Sequence, residues 1–243
     1  VTRPRQCPTG PVTLGIDISA HQGEIDWTRV AQSGAQFAFI RAMEGVAIDT
    51  QFRRNWAGAK QAGLLRGAYV YFRARHGGDL QAQMLLRLLG DDVGELPPAC
   101  DIETLDEQTP STVVSRMQDW VRVVRPAVGK RPVIYSGSFW HWQISSAHFA
   151  DLPLWTPDYT SMGCPGVPKG WDTWTIWQYT SSGAVPGIYG RVDMNWFRGN
   201  VDHLRALGAD GWPAWKWLTV AALGGVGYWA WRRYGRSRKR LAR

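Results

Sequence analysis

Ala99-Cys100-Asp101-Ile102-Glu103, then a helical stretch opened by Thr109-Pro110 and closed by Gly129, then Pro132-Val133-Ile134-Tyr135: this order of strand, helix and strand decides the fold class. Thr109 is a helix N-cap, Pro110 suits the first helical position and Gly129 suits the position after the last turn. A second strand reached through a helix pairs in parallel with the first. Within the first strand, side chains alternate between faces at about 3.3 Å per residue. Asp101 and Glu103 therefore share a face, with β-carbons about 6–7 Å apart by that rise. Cys100 and Ile102 face the packing side.

The alternation continues outward in both directions. Upstream, Leu14-Gly15-Ile16-Asp17-Ile18 is a strand, and Asp26 caps a short helix that ends at Gly34. Phe37-Ala38-Phe39-Ile40-Arg41-Ala42 is an apolar strand ended by Glu44-Gly45. A helix over residues 51–62 closes at Gly63, a strand covers 66–72, and an amphipathic helix covers 79–89. Downstream, strands at 153–156, 175–179 and 191–194 are joined by Gly, Pro and Ser more than by helix. Eight strands alternating with helices predict an α/β fold: a single modified β/α (TIM-like) barrel with a helix-poor second half. The expected division is an N-terminal extension at 1–12, the barrel at 13–211 and a separate tail at 212–243.

Barrel enzymes hold their active sites at the C-terminal ends of the strands. Asp17, Glu44, Asp101, Glu103, Gln178 and Asp193 all fall at or just past a strand end, with Tyr69, Tyr71, Tyr135 and Trp155 close by. Alone, a D-x-E pair reads as two solvated acids. Carboxylates brought to one rim from four strands read as catalytic, because like charges that close raise one pKa and leave an acid beside a base. Tyr69, Tyr71, Tyr135, Trp155 and Gln178 are the candidate substrate contacts. The tyrosines and the tryptophans Trp155 and Trp177 fit core packing as well.

Composition excludes several classes. The net charge of +8 is not spread over the chain. Eight of the 28 Lys and Arg residues lie from Trp212 onward with no acid among them, leaving 20 bases against all 20 acids in residues 1–211. No nucleic-acid face follows from that. The three cysteines, Cys7, Cys100 and Cys164, form no C-x-x-C, and if one disulfide forms it joins Cys7 to Cys164, since Cys100 reads as buried strand. The histidines His21, His76, His141, His148 and His203 have no ligand spacing, and there is no phosphate loop or nucleophile elbow. No metal and no cofactor are expected.

Gly15-Ile16-Asp17-Ile18-Ser19 with Gln22-Gly23 and Ile25-Asp26-Trp27 resembles the opening of glycoside hydrolase family 25, the lysozyme-type N-acetylmuramidases. So do Phe37-Ala38-Phe39-Ile40-Arg41-Ala42-Met43-Glu44-Gly45, Gly67-Ala68-Tyr69, Asp101-Ile102-Glu103, Gly129-Lys130-Arg131-Pro132-Val133-Ile134-Tyr135 and Trp177-Gln178-Tyr179 followed by Gly187 and Val192-Asp193. The match runs in order over residues 13–199. The resemblance implies a modified β/α barrel that cleaves the β-1,4 bond after N-acetylmuramic acid in peptidoglycan. It implies that Glu103 is the proton donor, that Asp17, Asp101 and Asp193 are the other acidic positions, and that Glu44 matches an acid implicated in the family. The chain departs from the usual pattern with Arg41 for Lys, Met43 for Thr and His21 for a larger aromatic, which bears on substrate preference more than on activity. Asp101 is left as nucleophile or base, as the group orienting the substrate's acetamido oxygen, or as a tuner of Glu103.

The tail is a different material. Residues 217–231 are 15 uncharged residues, about 22 Å as a helix. Counted from Trp212, with Lys216 reaching outward, the run is 20 residues and can span a hydrocarbon core of roughly 30 Å. Trp212, Trp215 and Trp217 at one end and Tyr228, Trp229 and Trp231 at the other form an aromatic belt, and Arg232 onward holds seven bases that suit anionic lipid. The expectation is a C-terminal hydrophobic and basic helix that spans a membrane or lies on it. Residues 1–12 contain no apolar export segment. Two placements fit: the wall side of the envelope after removal of a signal, or release from a host cytoplasm during lysis, as a phage lysis protein does. The competing function classes are a non-catalytic peptidoglycan-binding module, which need not keep four acids, and a structural envelope or virion protein.

Overall fold

The computed structural model describes residues 5–137, 148–159 and 163–209. The expected helical tail at 212–243 lies outside the described residues, as does His141.

Nine strands form one sheet: β1 Val12–Ile18, β2 Phe37–Glu44, β3 Ala47–Ile48, β4 Leu65–Tyr71, β5 Ala99–Asp101, β6 Val133–Tyr135, β7 Leu154–Pro157, β8 Ile176–Gly183 and β9 Val192–Arg198. Eight of them close a barrel in the order β1, β2, β4, β5, β6, β7, β8, β9 and back to β1; the two-residue β3 hangs on the end of β2 as a hairpin. The helices are α1 Trp27–Gln32, α2 Phe52–Gln61, α3 Gly78–Leu89, α4 Pro110–Val128 and α5 Val201–Arg205. The caps follow the sequence. Asp26 accepts from the Arg29 N–H at 3.1 Å, Thr109 accepts from the Thr112 N–H at 3.2 Å, and Gly129 ends α4 at φ 65°. Gly78 lets α3 press against α4, since a Cβ there would stand 1.6 Å from the Arg116 carbonyl oxygen.

The barrel differs from an all-parallel one at β9. Neighbouring strands from β1 to β8 pair in parallel, but β9 is antiparallel to both β8 and β1. Only eight residues separate β8 from β9. A parallel return needs a crossover of a dozen or more, so the chain turns back as a hairpin. The start of β9 therefore reaches the rim where the parallel strands end. Asp193 reaches that rim from the beginning of its strand, not from its end.

Alternation along the strands sorts the core into two. Phe37 and Phe39 of β2, Leu65 of β4, Val133 of β6, Trp155 of β7, Ile176 of β8 and Phe197 of β9 fill the barrel, while Ile16, Ile18, Ala38, Ile40, Cys100, Ile134, Leu154 and Trp177 pack under the helices. Gly15 and Gly67 make room inside, because a Cβ at either would stand 2.3 Å from the ring of Phe37 or Phe39. Trp120, Trp155 and Trp174 are fully buried, which places several of the 15 tryptophans in the core.

Residues 5–8, expected in an extension, are bound to the segment before β8. Arg5 bridges Gly166, the Gln6 N–H donates to the Pro165 carbonyl at 3.1 Å and the Trp174 indole donates to the Gln6 carbonyl at 2.7 Å. Cys7 and Cys164 form a disulfide across a separation of 157 residues, and Cys100 is a buried free thiol. By loop-closure entropy a link of that length stabilises by about 5 kcal/mol at most.

Candidate active site

The strand ends surround a cavity of about 290 Å³. Asp17 comes from β1, Tyr69 and Tyr71 from β4, Asp101 from β5, Glu103 from just beyond it, Tyr135 from β6, Trp155 from β7, Gln178 from β8 and Asp193 from β9. Every candidate residue except Glu44 lines it. The single turn of 3-10 helix after β1, Ala20–Gln22, adds His21 and Gln22.

Asp17 and Asp193 are direct partners in the antiparallel β1–β9 ladder. Like charges at opposed positions repel, so the pair is stable only with a shared proton. Their side chains are hydrogen-bonded to each other. Burial, then the Asp193 charge, holds the Asp17 carboxyl far above its ordinary range. Its Oδ2 accepts from Asn195 Nδ2 at 2.7 Å and from Gln178 Nε2 at 2.9 Å, which leaves Oδ1 for the proton facing Asp193. Both amides are fixed from behind. Asn195 Oδ1 accepts from the Trp155 indole at 2.8 Å, and Gln178 Oε1 accepts from the hydroxyls of Tyr135 at 2.9 Å and Tyr159 at 2.7 Å. The indole can only donate, which fixes the Asn195 amide, and the two hydroxyls converging on Oε1 leave the Gln178 amide nitrogen for Asp17.

Asp101 and Glu103 form the second pair. β5 ends at Asp101, but hydrogen bonding to the neighbouring β6 segment continues through Ile102. The Ile102 N–H donates to the Tyr135 carbonyl at 3.1 Å and Ser136 Oγ donates to the Ile102 carbonyl at 2.7 Å. Both carboxyls line the cavity, close enough to act on each other's protonation. Burial, then the Glu103 and Asp17 charges, raises the Asp101 carboxyl well above its usual range. Burial also raises Glu103, the Asp193 charge adds to it, and the hydrogen bond from Asp101 opposes it. The proton of this pair rests on buried Asp101 and is one short transfer from Glu103, which is the more exposed of the two.

The remaining placements separate roles. Trp155 is 2% exposed, wedged between Phe39 at 4.7 Å and Tyr135 at 4.8 Å between centroids, so it floors the cavity. Trp177 lies outside the lining and donates to the Asp158 carbonyl at 2.8 Å. Glu44 also stays outside the lining. Its carboxylate meets Arg73 at 3.5 Å, and Arg73 grips Asp106 at 2.8 Å. Asp106 and Glu107 carry left-handed backbone at φ 49° and 63°, immediately after Glu103-Thr104-Leu105. The Glu44–Arg73–Asp106 chain therefore anchors the loop that carries Glu103.

Sequence reasoning did not single out Asp49, Asn195 or Tyr159, and met Arg41 only as a departure from the family pattern. Arg41 lines the cavity, and its Nε donates at 2.8 Å to Asp49, whose carboxylate also accepts from the N–H groups of Ala20 and Gln51. Arg41 and Asn195 were legible by parity, since Arg41 shares the inward face with Phe37 and Phe39, and Asn195 with Asp193 and Phe197. Tyr159 arrives from a loop and has no such signal. No group of three or more His, Cys, Asp or Glu among the described residues is arranged to hold a metal.

Comparison with known proteins agrees with this geometry. The family model for glycosyl hydrolases family 25 matches residues 16–188. The chain is 35% identical over 206 residues to the uncharacterized protein YegX of Escherichia coli K12, covering 82% of this chain and 75% of that one. It is 34% identical over 212 residues to lysozyme M1 of Streptomyces globisporus, covering 79% and 70%. The structure of a bacterial lysozyme from Streptomyces coelicolor aligns with a TM-score of 0.74 at 31% identity, over 82% of this chain and 98% of that one. A family GH25 lysozyme from Aspergillus fumigatus aligns with a TM-score of 0.72 at 30% identity, over 82% and 100%.

The Asp17 proton has a consequence for stability. A carboxyl raised in the folded state stabilises the fold below its unfolded pKa of roughly 4, and that contribution is lost as pH rises through the raised value. Asp17→Asn keeps an oxygen for Asn195 and Gln178 and an N–H for Asp193. The variant should lose less thermal stability than wild type between pH 5 and pH 9, measured by calorimetric melting. Parallel pH dependence of the two would contradict the shared proton.

Proposed function

The chain belongs to family 25 of the glycosyl hydrolases, and on that premise we propose how its carboxyls act and where the protein works. It is a glycoside hydrolase of the lysozyme, or muramidase, type, and its substrate is peptidoglycan. The bond proposed for cleavage is the β-1,4 link between N-acetylmuramic acid and N-acetylglucosamine.

The observation that carries the assignment is the close pairing of Asp101 and Glu103, two raised carboxyls that line the cavity together. Asp101 passes its proton to Glu103, the more exposed, as Glu103 gives that proton's equivalent to the leaving oxygen and the C–O bond breaks, so that both carboxyls end as anions. The Asp101 anion then appears as positive charge grows at the anomeric carbon. Carboxyls in direct contact are too close to flank a glycosidic bond, where separations of about 5 Å or more are needed. That favours Asp101 as the residue that tunes and reprotonates Glu103. Asp193 is the anion of the other pair and faces positive charge on the sugar, while Asp17 keeps its proton. The water that completes hydrolysis gives up its proton to one of these carboxylates. Tyr71 and Tyr135 are the proposed hydrogen-bond contacts to the sugar, with Tyr69 and Trp155 forming the wall and floor. Gln178 orients Asp17. Glu44 acts on Glu103 through Arg73.

Loss of the general acid costs roughly 10²–10⁴ in rate. Glu103→Gln should lower the clearing of purified peptidoglycan by that factor, and the wild-type products should carry reducing-end muramic acid. Equal clearing by both forms, or reducing-end glucosamine, would sink the assignment.

The division into extension, barrel and tail at 1–12, 13–211 and 212–243 is part of the proposal. No helix among the described residues is long and apolar enough to cross a membrane. Membrane contact is therefore proposed for residues 212–243 alone, through their aromatic belts and basic end, as an aid to host cell lysis from the inner face of the envelope. Full-length protein should sediment with anionic vesicles, and a chain ending at Gly211 should stay in solution. Equal soluble fractions would remove the membrane role.

A further inference from the structure

A second depression opens beside the catalytic cavity and takes no part in the chemistry above. It measures about 440 Å³ and is shallower and more open to solvent than the cavity of about 290 Å³. Its walls are the loop entering α1 and the hairpin between β8 and β9. The two walls are locked together. The Asp26 N–H donates to the Gly187 carbonyl at 2.9 Å, and Gly187, at φ 98°, passes so near that a Cβ would stand 2.3 Å from the Asp26 carbonyl oxygen. Backbone contacts fix the base of the groove, and the side chains of Glu24, Arg29, Arg54 and Tyr189 form its sides.

The charges are unequally satisfied. Glu24 and Arg54 pair with each other at 2.5 Å, and the Asp26 carboxylate caps α1. The Arg29 guanidinium, among the described residues, makes no hydrogen bond or ion pair. Opposite it on the hairpin stands Tyr189, 96% exposed. An unpaired guanidinium beside an aromatic lip suits a carboxylate better than a neutral sugar, because the planar fork binds both carboxylate oxygens at once.

We propose that this groove binds the carboxylates of the short peptide that peptidoglycan carries on N-acetylmuramic acid, with Arg29 as the anion contact and Tyr189 as the packing surface; this rests on the peptidoglycan reading of the catalytic cavity. The path is short. Gln22 lines the catalytic cavity and donates to the Arg191 carbonyl at 3.3 Å, and Glu24 and Tyr189 each lie two residues from that contact. Two residues of chain cover about 7 Å, and an extended tetrapeptide reaches roughly 13–14 Å. A peptide leaving a sugar in the cavity can lie along the groove. Binding energy from such a remote part of the substrate holds the sugar in register at the reacting centre.

The test separates this claim from the catalytic one. The probe is the free tetrapeptide L-alanyl-γ-D-glutamyl-meso-diaminopimelyl-D-alanine, titrated into the full chain by calorimetry. Wild type and Glu103→Gln should bind it alike. Arg29→Gln should weaken binding at least tenfold, Tyr189→Ala several-fold, and Arg29→Lys should retain part of the affinity. In parallel, the ratio of kcat/KM on intact peptidoglycan to kcat/KM on glycan strands stripped of peptide should fall about fivefold in Arg29→Gln, through KM. No peptide binding by wild type, unchanged binding by Arg29→Gln, or an unchanged ratio would overturn the proposal. Failure of the catalytic reading would show differently, as no cleavage of either substrate by wild type, with the titration still deciding the groove.

Discussion

Carboxyl groups that face one another inside a closed barrel cannot all be ionised, and the site depends on that. Asp17 and Asp193 oppose each other because β9 runs antiparallel to β1. Asp101 and Glu103 reach the same cavity because hydrogen bonds on both sides of Ile102 hold the chain against β6 just past β5. In both places burial is the first cause of the raised pKa and the neighbouring charge adds to it. The barrel thus holds protons above the ordinary carboxyl range, in side chains that lose them in acid when free in water. A muramidase needs such a proton beside an anion. The fold supplies two pairs, each with a more buried member that keeps the proton and a more open member at the cavity.

The barrel interior is graded to hold those pairs. Phe37, Leu65, Val133, Ile176 and Phe197 make an apolar base. Trp155 joins base to rim, with its ring packed among Phe39, Tyr69 and Tyr135 and its indole N–H fixing Asn195. Asn195 in turn donates to Asp17. A tryptophan in the core therefore sets the orientation of a carboxyl in the site, and packing passes into electrostatics through three side chains. The glycines at 15 and 67 belong to the same arrangement, since they admit the phenylalanines on which Trp155 rests.

Most of this was legible in the sequence, and the exceptions have physical causes. Hydrophobic alternation, the Thr109-Pro110 cap and the Gly63 and Gly129 terminators locate most elements within a residue or two, while β8 and β9 each run four residues past their expected ends. The order of strands and helices implies the barrel. The direction of β9 needed a measurement of the link before it: eight residues cannot make a crossover. Arg41 and Asn195 sit on inward faces whose parity was readable. Asp106 was not readable, because its contact with Arg73 depends on left-handed backbone in a loop. Glu44 looked like a fifth rim acid, yet its carboxylate goes to Arg73, outside the cavity lining. The pairing of Cys7 with Cys164 was legible, because Cys100 reads as buried strand; whether the bond forms was not.

The central claim is that two carboxyl pairs keep protons well above the ordinary carboxyl range, and carboxyl carbon NMR measures this directly. With ¹³C-labelled aspartate and glutamate side chains, wild type should show carboxyls from both pairs still titrating above about pH 5, where free side chains are already ionised. The Asp101→Asn variant should lose one of those signals and shift that of Glu103. Titration of every carboxyl complete below about pH 5 would contradict the account.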